Sequence, residues 1–400
     1  MKKFVLVFGL LFTASSTVFA GATPKRITIE DIFVNGTFRQ DYVYGMDWMN
    51  SGEHYAAFGS GTEGKKLYRF EIKSGKKLDV IFDGDELIPE GQNKPIECDA
   101  YKFSPDESKI LFATDIELIY RYSTREANYV YDVKTKKLTP LSTNGKQRLA
   151  QFSPDGKKVA FVRDNNIFVV DLATNKETQV TTDGEWNKII NGGTDWVYEE
   201  EFALPNGIAW SPDSKKIAFY RFDESMVKEY QMTMYNTGLY PEPSTFKYPK
   251  AGEKNSIVTL HIYDMATMKT IPVDVGRETD QYIPRIQWTK DANKLSFIRM
   301  NRLQNKQELL FSDATTGTSM VMLTENSSTY MEVCDHLTFL ADGKSFLWSN
   351  DLDGRTHLYH YNMDGTLVRQ ITKGWWDVIK YYGYDEKSKT IYYASNEGTP

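Results

Sequence analysis

Short runs of alternating apolar and polar residues recur along the chain, joined in pairs by turns rich in Pro, Asp and Gly. The clearest copies are Phe103–Phe112, Phe152–Phe161 and Trp210–Phe219. In each copy an apolar strand ends in an aromatic residue, a Ser-Pro-Asp turn follows, and a second strand alternates apolar and polar residues. Two further strand-like runs usually follow, such as Ile167–Asp171 and Glu177–Thr181. The pattern therefore predicts a repeating unit of four strands.

The repeat is found seven times, which indicates the architecture. Weaker copies have their aromatic residue at Trp48, Trp288, Phe339 and Tyr384, and the seven markers are spaced by 55, 49, 58, 78, 51 and 45 residues. Four strands recurring at such a period are typical of a β-propeller. A β-sandwich would not require seven turns in phase. We therefore predict an all-β propeller whose last blade is incomplete, since the sequence stops after the second strand of that repeat.

Three insertions interrupt the regular spacing, and propeller topology predicts that they share one face. Connections from the fourth strand of a blade to the next blade lie on the same face as those between second and third strands. Asp195–Phe202 is assigned to the first kind of connection, and Ile116–Ala127 and Asp223–Asn255 to the second. Binding residues concentrate in loops on one side of a rigid scaffold. This face is therefore the expected functional surface.

An acidic run in the first insertion is the strongest chemical signal. Glu199–Glu201 are three consecutive carboxylates, flanked by Trp196, Tyr198 and Phe202. The aromatic residues favour burial, whereas unpaired carboxylates are rarely buried. We expect a segment docked by its aromatic side chains, with acids that face an enclosed polar space and bind a cation there. For Glu199, a purely local capping or pairing role is the alternative to a ligand-binding one.

The first twenty residues have the pattern of a secretory signal peptide. Lys2 and Lys3 are followed by the apolar stretch Phe4–Phe12 and by the small-residue site Val18–Ala20, with cleavage expected after Ala20. The apolar stretch is too short to span a membrane, and no later stretch is long enough. An uncleaved amphipathic anchor is the alternative. We therefore expect a soluble periplasmic or secreted protein, with residues 21–45 leading into a propeller over residues 46–400.

Charge and cysteine content exclude several classes of function. Loss of Lys2 and Lys3 would change the formal net charge from -6 to -8, which disfavours nucleic acid as a partner. Cys98 and Cys334 are too few for a disulfide scaffold, and they occupy equivalent positions in different repeats, so we expect two free thiols. The five histidines are scattered. No metal site and no cofactor are therefore predicted.

Three motifs together resemble a known family. Thr194–Phe202, Tyr248–Asn255 and Asn301–Asn305 are similar to segments in the propeller domain of the dipeptidyl peptidase IV family, serine exopeptidases of the prolyl oligopeptidase clan. The resemblance extends over essentially all of the chain after the leader, and the signal peptide fits the bacterial, periplasmic branch. It implies an eight-bladed propeller with four-stranded blades. It also implies a following α/β-hydrolase domain that supplies the catalytic Ser, Asp and His.

The resemblance also implies roles for individual residues. Glu200 and Glu201 match the pair that binds the α-ammonium group of a peptide substrate. Arg121, eleven residues before Asp132, matches the arginine that holds the carbonyl of the second residue from the cleaved bond, although Arg125 could replace it. The chain contains no Gly-x-Ser-x-Gly nucleophile elbow, so we expect no catalytic residue in it and no peptidase activity from it alone.

The implied activity is removal of Xaa-Pro or Xaa-Ala dipeptides from peptides with a free N-terminus. An α-amino group has a pKa of about 8 and is mostly charged at neutral pH, whereas an internal peptide nitrogen is neutral. Two carboxylates can therefore select a chain terminus. A tripeptidyl or acylaminoacyl peptidase of the same clan, or a non-enzymatic periplasmic binding scaffold, are the alternatives. A homodimer is expected through the Asp223–Asn255 arm and the hydrolase domain.

Overall fold

The computed structural model describes residues 26–40, 42–235, 238–351 and 353–398. The chain divides into a unit over residues 1–44 and a unit over residues 45–400. The first contains the helix α1, Ile29–Phe33, which is capped reciprocally: the Thr28 hydroxyl accepts a hydrogen bond from the Asp31 amide, and the Asp31 carboxylate accepts one from the Thr28 amide. The predicted signal peptide, residues 1–20, lies outside the described residues.

The second unit is built almost entirely of β-strands. It also contains the helix α2, Trp196–Phe202, and two 3₁₀ turns, Gly61–Glu63 and Gly84–Glu86. The strands are β1 Asp47–Trp48, β2 His54–Phe58, β3 Lys66–Glu71, β4 Lys77–Asp83, β5 Ala100–Phe103, β6 Lys109–Leu118, β7 Thr124–Asp132, β8 Leu138–Pro140, β9 Arg148–Phe152, β10 Lys158–Arg163, β11 Asn166–Asp171, β12 Lys176–Gln179, β13 Ile189–Asn191, β14 Ile208–Trp210, β15 Lys216–Asp223, β16 Glu229–Met234, β17 Glu242–Lys247, β18 Ile257–Asp264, β19 Lys269–Pro272, β20 Gln281–Trp288, β21 Lys294–Asn301, β22 Lys306–Asp313, β23 Ser319–Asn326, β24 Thr338–Phe339, β25 Ser345–Asn350, β26 His357–Asn362, β27 Leu367–Gln370, β28 Val378–Asp385 and β29 Thr390–Ser395.

The strands form the predicted repeating sheets. Five sheets have four strands each in sequence order, namely β1–β4, β5–β8, β9–β12, β20–β23 and β24–β27, and neighbouring strands are antiparallel. The fourth repeat contains β13, β14, β15, β18 and β19, and β28 pairs with β29 as the start of the seventh. All seven aromatic markers lie in the first strand of their repeat. The all-β propeller architecture is therefore confirmed, whereas the total of eight blades stays a prediction.

The fourth repeat corrects the predicted position of the acidic insertion. Both β13 and β14 pair with β15, with Ile190 opposite Phe222 and Ala209 opposite Ala218. The helix α2 therefore interrupts the first strand of its own blade, and the assignment to a connection between blades is wrong. The eight-residue β15 is long enough to pair with both halves of the broken strand. The backbone on either side of α2 is thus fixed by the sheet.

The second insertion is shorter than predicted. Strands β6 and β7 continue their ladder through most of residues 116–127, with Glu117 opposite Arg125 and Leu118 opposite Thr124. A bulge at Asp115, which has a positive φ of 54°, shifts the register within this ladder. The expectation of a loop here is wrong except for residues 119–123. These five residues are called the hairpin tip below.

The third insertion forms a separate two-stranded sheet, as expected for an element outside the blade. Strands β16 and β17 pair with each other over six residues each, between β15 and β18 of the blade. Their side chains are mostly exposed, including Met232, Met234 and Tyr235. We call residues 229–247 the arm. The prediction that this segment is not a blade strand is confirmed, whereas its use as an arm for dimer contact stays a prediction.

Two smaller expectations concern cysteines and membrane spans. Cys98 and Cys334, both within the described residues, are free thiols, as predicted. Cys334 is buried, while Cys98 is half-buried. No helix among the described residues has the length and apolar character needed to cross a bilayer.

Candidate functional site

The helix α2 is anchored at its first turn by Asp195. The Asp195 carboxylate caps the helix by accepting a hydrogen bond from the Tyr198 amide at 2.9 Å, and it accepts a second from the Ser256 hydroxyl at 2.7 Å. Burial raises the pKa of this carboxyl group, and the two hydrogen bonds oppose that rise. Ser256 immediately precedes β18. The start of α2 is therefore tied to the blade that it interrupts.

Aromatic side chains bury one face of the helix. Tyr198 is 1% exposed and packs edge-on against Phe222 and Phe202, with ring centroids 4.8 and 5.1 Å apart. Its hydroxyl oxygen accepts a hydrogen bond from the Ile283 amide at 2.7 Å, which links α2 to the next blade. Trp196 packs edge-on against Tyr248 at 4.3 Å. The expectation of a segment docked by its aromatic residues is confirmed.

The three glutamates do not share one environment. Consecutive helical residues project about 100° apart, so neighbouring side chains face different directions. Glu199 is fully buried, Glu200 is half-buried and Glu201 is exposed. The expectation that all three acids face an enclosed space is therefore wrong for Glu201. The reason is that α2 is helical, so the three consecutive side chains point in different directions.

Glu199 faces inward and contacts the hairpin tip. One carboxylate oxygen, Oε1, accepts hydrogen bonds from the backbone amides of Tyr122 and Ser123, both at 2.8 Å. These residues belong to the second blade, more than 70 residues earlier in the chain. Between the two alternatives for Glu199, the structure therefore favours local pairing within the protein.

Glu200 is paired with an arginine from the same tip. Arg121 Nε lies 2.8 Å from Glu200 Oε2, and the Arg121 side chain is 67% exposed while that of Glu200 is 17% exposed. The terminal nitrogens of Arg121 have no partner among the described residues. The guanidinium group can therefore still donate to an incoming carbonyl oxygen.

Glu201 carries an uncompensated charge. It forms no hydrogen bond or ion pair with any residue in the described ranges. Its carboxylate is close enough to Tyr330 to affect that phenol: burial raises the Tyr330 pKa, and the negative charges of Glu332 and Glu201 add to the effect. An exposed carboxylate without a cation among the described residues can accept hydrogen bonds from a ligand ammonium group.

Arg125, the alternative to Arg121, points elsewhere. Arg125 lies on β7 opposite Glu117 of β6, and its Nε is 2.5 Å from Glu117 Oε2. Lys146 Nζ binds the other carboxylate oxygen of Glu117 at 2.7 Å. Within the described part of the chain, Arg125 makes no hydrogen bond or ion pair with α2. The structure thus pairs Arg121 with Glu200, leaves Arg125 outside this pair, and places Glu201 next to Glu200 in the sequence of α2.

Glu224 is a buried carboxyl group that interacts electrostatically with Asp195, the capping residue of α2. Burial raises the pKa of Glu224 to about 7, and the negative charge of Asp195 contributes to the rise while Lys247 opposes it. Burial also raises the pKa of Tyr120, a hairpin-tip residue, to about 12, and the negative charges of Glu224 and Glu199 add to the rise. Glu224 is buried, and Tyr120 is half-buried.

The three insertions meet at this site. The hairpin tip contacts α2 through Glu199, and the Tyr120 ring packs against Phe246 of the arm at 5.8 Å between centroids. These contacts confirm that the insertions lie on one face. Among the described residues, no group of three or more His, Cys, Asp or Glu side chains could hold a metal ion. The arrangement is suited to binding a cationic, carbonyl-bearing ligand.

Comparison with known proteins identifies the family. The family model described as "Dipeptidyl peptidase IV (DPP IV) N-terminal region" matches residues 104–400. The chain is 28% identical over 365 residues to dipeptidyl peptidase 4 of Trichophyton equinum, covering 88% of this chain and 46% of that protein. It is 28% identical over 321 residues to the inactive dipeptidyl peptidase 10 of Mus musculus, covering 75% of this chain and 40% of that protein.

A solved bacterial structure agrees with these relatives. The crystal structure of Porphyromonas gingivalis dipeptidyl peptidase 4 is 42% identical, with a TM-score of 0.84, over 94% of this chain and 53% of that chain. The chain spans about half the length of the curated relatives it matches. The extent of the family match, together with this structural agreement, shows that the chain belongs to the dipeptidyl peptidase IV family, of which it carries the N-terminal region.

Proposed function

We propose that this chain is the substrate-binding propeller part of a serine dipeptidyl peptidase that removes Xaa-Pro or Xaa-Ala dipeptides from the N-termini of peptides. The observation that carries the proposal is the Arg121–Glu200 ion pair, followed in the sequence by the exposed carboxylate of Glu201, which has no partner among the described residues. Glu200 and Glu201 bind the substrate α-ammonium group, and Arg121 donates to a substrate carbonyl. The names of the relatives and of the solved structure support the same activity.

The chemistry of the site explains the selection of a chain terminus. A hydrogen bond to a charged group contributes about 1.5–3 kcal/mol, and an α-ammonium group can form such bonds to both carboxylates. An internal peptide nitrogen offers one neutral N–H, and its binding would leave carboxylate charge without compensation. When the amino end of the substrate is bound, the distance to the nucleophile sets the number of residues between that end and the cleaved bond. The propeller therefore acts as a ruler that positions the bond to be cleaved.

The catalytic groups are proposed to come from outside this chain. An α/β-hydrolase domain following Pro400 supplies the Ser, Asp and His, and this chain alone is inactive. A tripeptidyl or acylaminoacyl peptidase is disfavoured by the two consecutive acidic residues Glu200 and Glu201. A non-enzymatic scaffold is the second candidate, because the relatives from Mus musculus and Rattus norvegicus carry the name inactive dipeptidyl peptidase 10.

The released product distinguishes these possibilities. The full-length protein is incubated with a peptide that has Pro or Ala at its second position and a free N-terminus, and the products are identified by mass spectrometry. We expect the N-terminal dipeptide. Release of a tripeptide or of a single acylated residue would support the other peptidases, and an uncleaved peptide would support the scaffold.

We also propose that the protein is exported to the periplasm or secreted. The supporting pattern is the basic and apolar leader of residues 1–20. Cleavage after Ala20 makes Gly21 the first residue of the mature protein, which N-terminal sequencing of the exported protein reads directly. An intact leader on that protein would contradict the proposal.

We further propose a homodimer in which the arm contributes to the interface, together with the hydrolase domain. The arm projects a two-stranded sheet with exposed Met232, Met234 and Tyr235, residue types common at interfaces. Replacing residues 229–247 by a short Gly-Ser linker in the full-length protein should leave the propeller folded, because the blade strands β15 and β18 pair without the arm.

Light scattering and thermal unfolding check the arm prediction. We expect the molar mass to fall toward that of a monomer, with a cooperative unfolding transition retained. A variant that no longer folds, or one whose molar mass is unchanged, would contradict the assignment of the arm to the interface.

A further inference from the structure

We propose that Glu199 is a positioning residue, which holds the hairpin tip so that Arg121 meets Glu200 and the substrate. The inference rests on the proposed function, because it assigns a role to Arg121 in substrate binding. It adds a residue that touches no substrate: both hydrogen bonds of the Glu199 carboxylate are made to backbone amides inside the protein.

Few contacts fix the side chain of Arg121. Its side chain is 67% exposed, and its described contact is the single hydrogen bond from Nε to Glu200. A single hydrogen bond from an exposed arginine does not fix this long side chain by itself, although its partner Glu200 is half-buried. The position of Arg121 therefore depends on the backbone of the hairpin tip. The tip is closed by a hydrogen bond from the Ile119 amide to the Ser123 carbonyl at 2.9 Å.

The two hydrogen bonds that the Glu199 carboxylate accepts, called the Glu199 anchor below, are strong. Amide groups that donate to a carboxylate form charge-assisted bonds, which are stronger than neutral ones. Glu199 is fully buried, so these bonds are shielded from water. They hold the Tyr122 and Ser123 amides, the two residues directly after Arg121. The anchor therefore acts on the backbone next to the arginine and not on its side chain.

Glu199 itself lies on an element that is held in place by the rest of the fold. Glu199 lies on α2, whose capping residue Asp195 is tied to Ser256 and whose Tyr198 is tied to Ile283. Arg148 on β9 supplies positive charge nearby: burial lowers its pKa, and the negative charge of Glu199 acts in the opposite direction.

A positioning role makes a prediction that a general structural role does not. If Glu199 acts through Arg121, its removal should cost little substrate affinity once Arg121 is already absent. If Glu199 only supports the fold, its removal should have the same effect in either background. Coupling between two residues of this kind is measured by a double-mutant cycle.

The experiment uses the full-length protein as wild type, Glu199→Ala, Arg121→Ala and the double variant. We expect Glu199→Ala to raise KM for a dipeptidyl substrate at least about fivefold in the Arg121 background, but by less than about twofold in the Arg121→Ala background. Glu199→Gln keeps an oxygen that can accept both amides and should restore most of the affinity. Amide hydrogen exchange of peptides covering residues 119–124 should accelerate in Glu199→Ala, with peptides covering residues 158–171 unchanged as the internal reference.

Several results would overturn the inference. One is a wild-type KM for Glu199→Ala, and another is an equal KM increase in both backgrounds. Glu199→Leu, which keeps the volume but removes the acceptor, replaces the alanine variant if that variant does not fold. A wild-type KM for Arg121→Ala would contradict the proposed substrate contact and this inference with it. A raised KM for Arg121→Ala beside an unchanged KM for Glu199→Ala would contradict only the role of Glu199.

Discussion

Replacing Glu201 or Glu200 by Gln in the full-length protein is expected to lower kcat/KM on dipeptidyl substrates at least about tenfold, which is one step of about 1.4 kcal/mol. Glutamine keeps the shape of the side chain and removes the negative charge that would pair with the α-ammonium group. Folding should be unaffected, because Glu201 has no partner among the described residues and the partner of Glu200, Arg121, is itself exposed. Steady-state kinetics on a chromogenic dipeptidyl substrate measure the effect.

A charge change elsewhere on the propeller provides the matched control. Glu63 forms an exposed ion pair with Lys77 in the first blade, so Glu63→Gln removes the same charge from a similar pair outside the site. Its kinetics should equal those of the wild type, and all three variants should retain the wild-type melting temperature. Wild-type kinetics in both Glu200→Gln and Glu201→Gln would contradict the proposed ammonium site.

The second large effect is expected for Arg121→Ala, which should lower kcat/KM severalfold or more, whereas Arg125→Ala should not. Removing Arg121 takes away a donor for the substrate carbonyl and leaves Glu200 without its cation. Arg125 is engaged by Glu117 on the paired strand, and its loss should affect only this exposed ion pair. Kinetics of the two single variants, prepared in parallel, test the distinction.

The two arginines are matched controls for each other. They lie four residues apart in the same hairpin and carry the same charge, so a non-specific electrostatic effect should appear in both. Impairment by Arg125→Ala with normal kinetics for Arg121→Ala would show that the assignment of residues in the hairpin tip is wrong. Comparable impairment by both would indicate that the net charge matters more than the contact with Glu200.

The repeating blades could be predicted from the sequence because each carries its own local signal. An aromatic residue before a turn and a following strand mark every repeat, with Pro-Asp in the turn of three of them, and the structure places all seven markers in first strands. Such signals depend on turn chemistry and strand periodicity, which act over a few residues. The broken strand around α2 was missed, because β13 and β14 pair with the same strand only through contacts distant in sequence.

The arrangement of residues within the site could not be predicted from the local sequence. A seven-residue helix is too short to be stable by itself, and α2 depends on the packing of Tyr198 and Phe202 in the fold. Helical spacing would have placed Glu199 on the same face as the buried Phe202, since positions three and four apart share a face. The ion pair of Arg121 with Glu200 joins residues 79 apart in different blades. The sequence around one residue does not indicate a contact with the other. Only the resemblance to the family assigned both residues to one binding site.

The central claim is that this face of the propeller binds a free peptide α-ammonium group. The most direct test repeats the product assay on two peptides that differ only by acetylation of the N-terminus, with kcat/KM measured for each on the full-length protein. Acetylation removes the charge and leaves every other contact available. The account predicts that the free peptide loses its N-terminal dipeptide and that the acetylated peptide is cleaved at least about a hundredfold less efficiently, in line with two lost charge-assisted hydrogen bonds. Equal cleavage of the two peptides would contradict it.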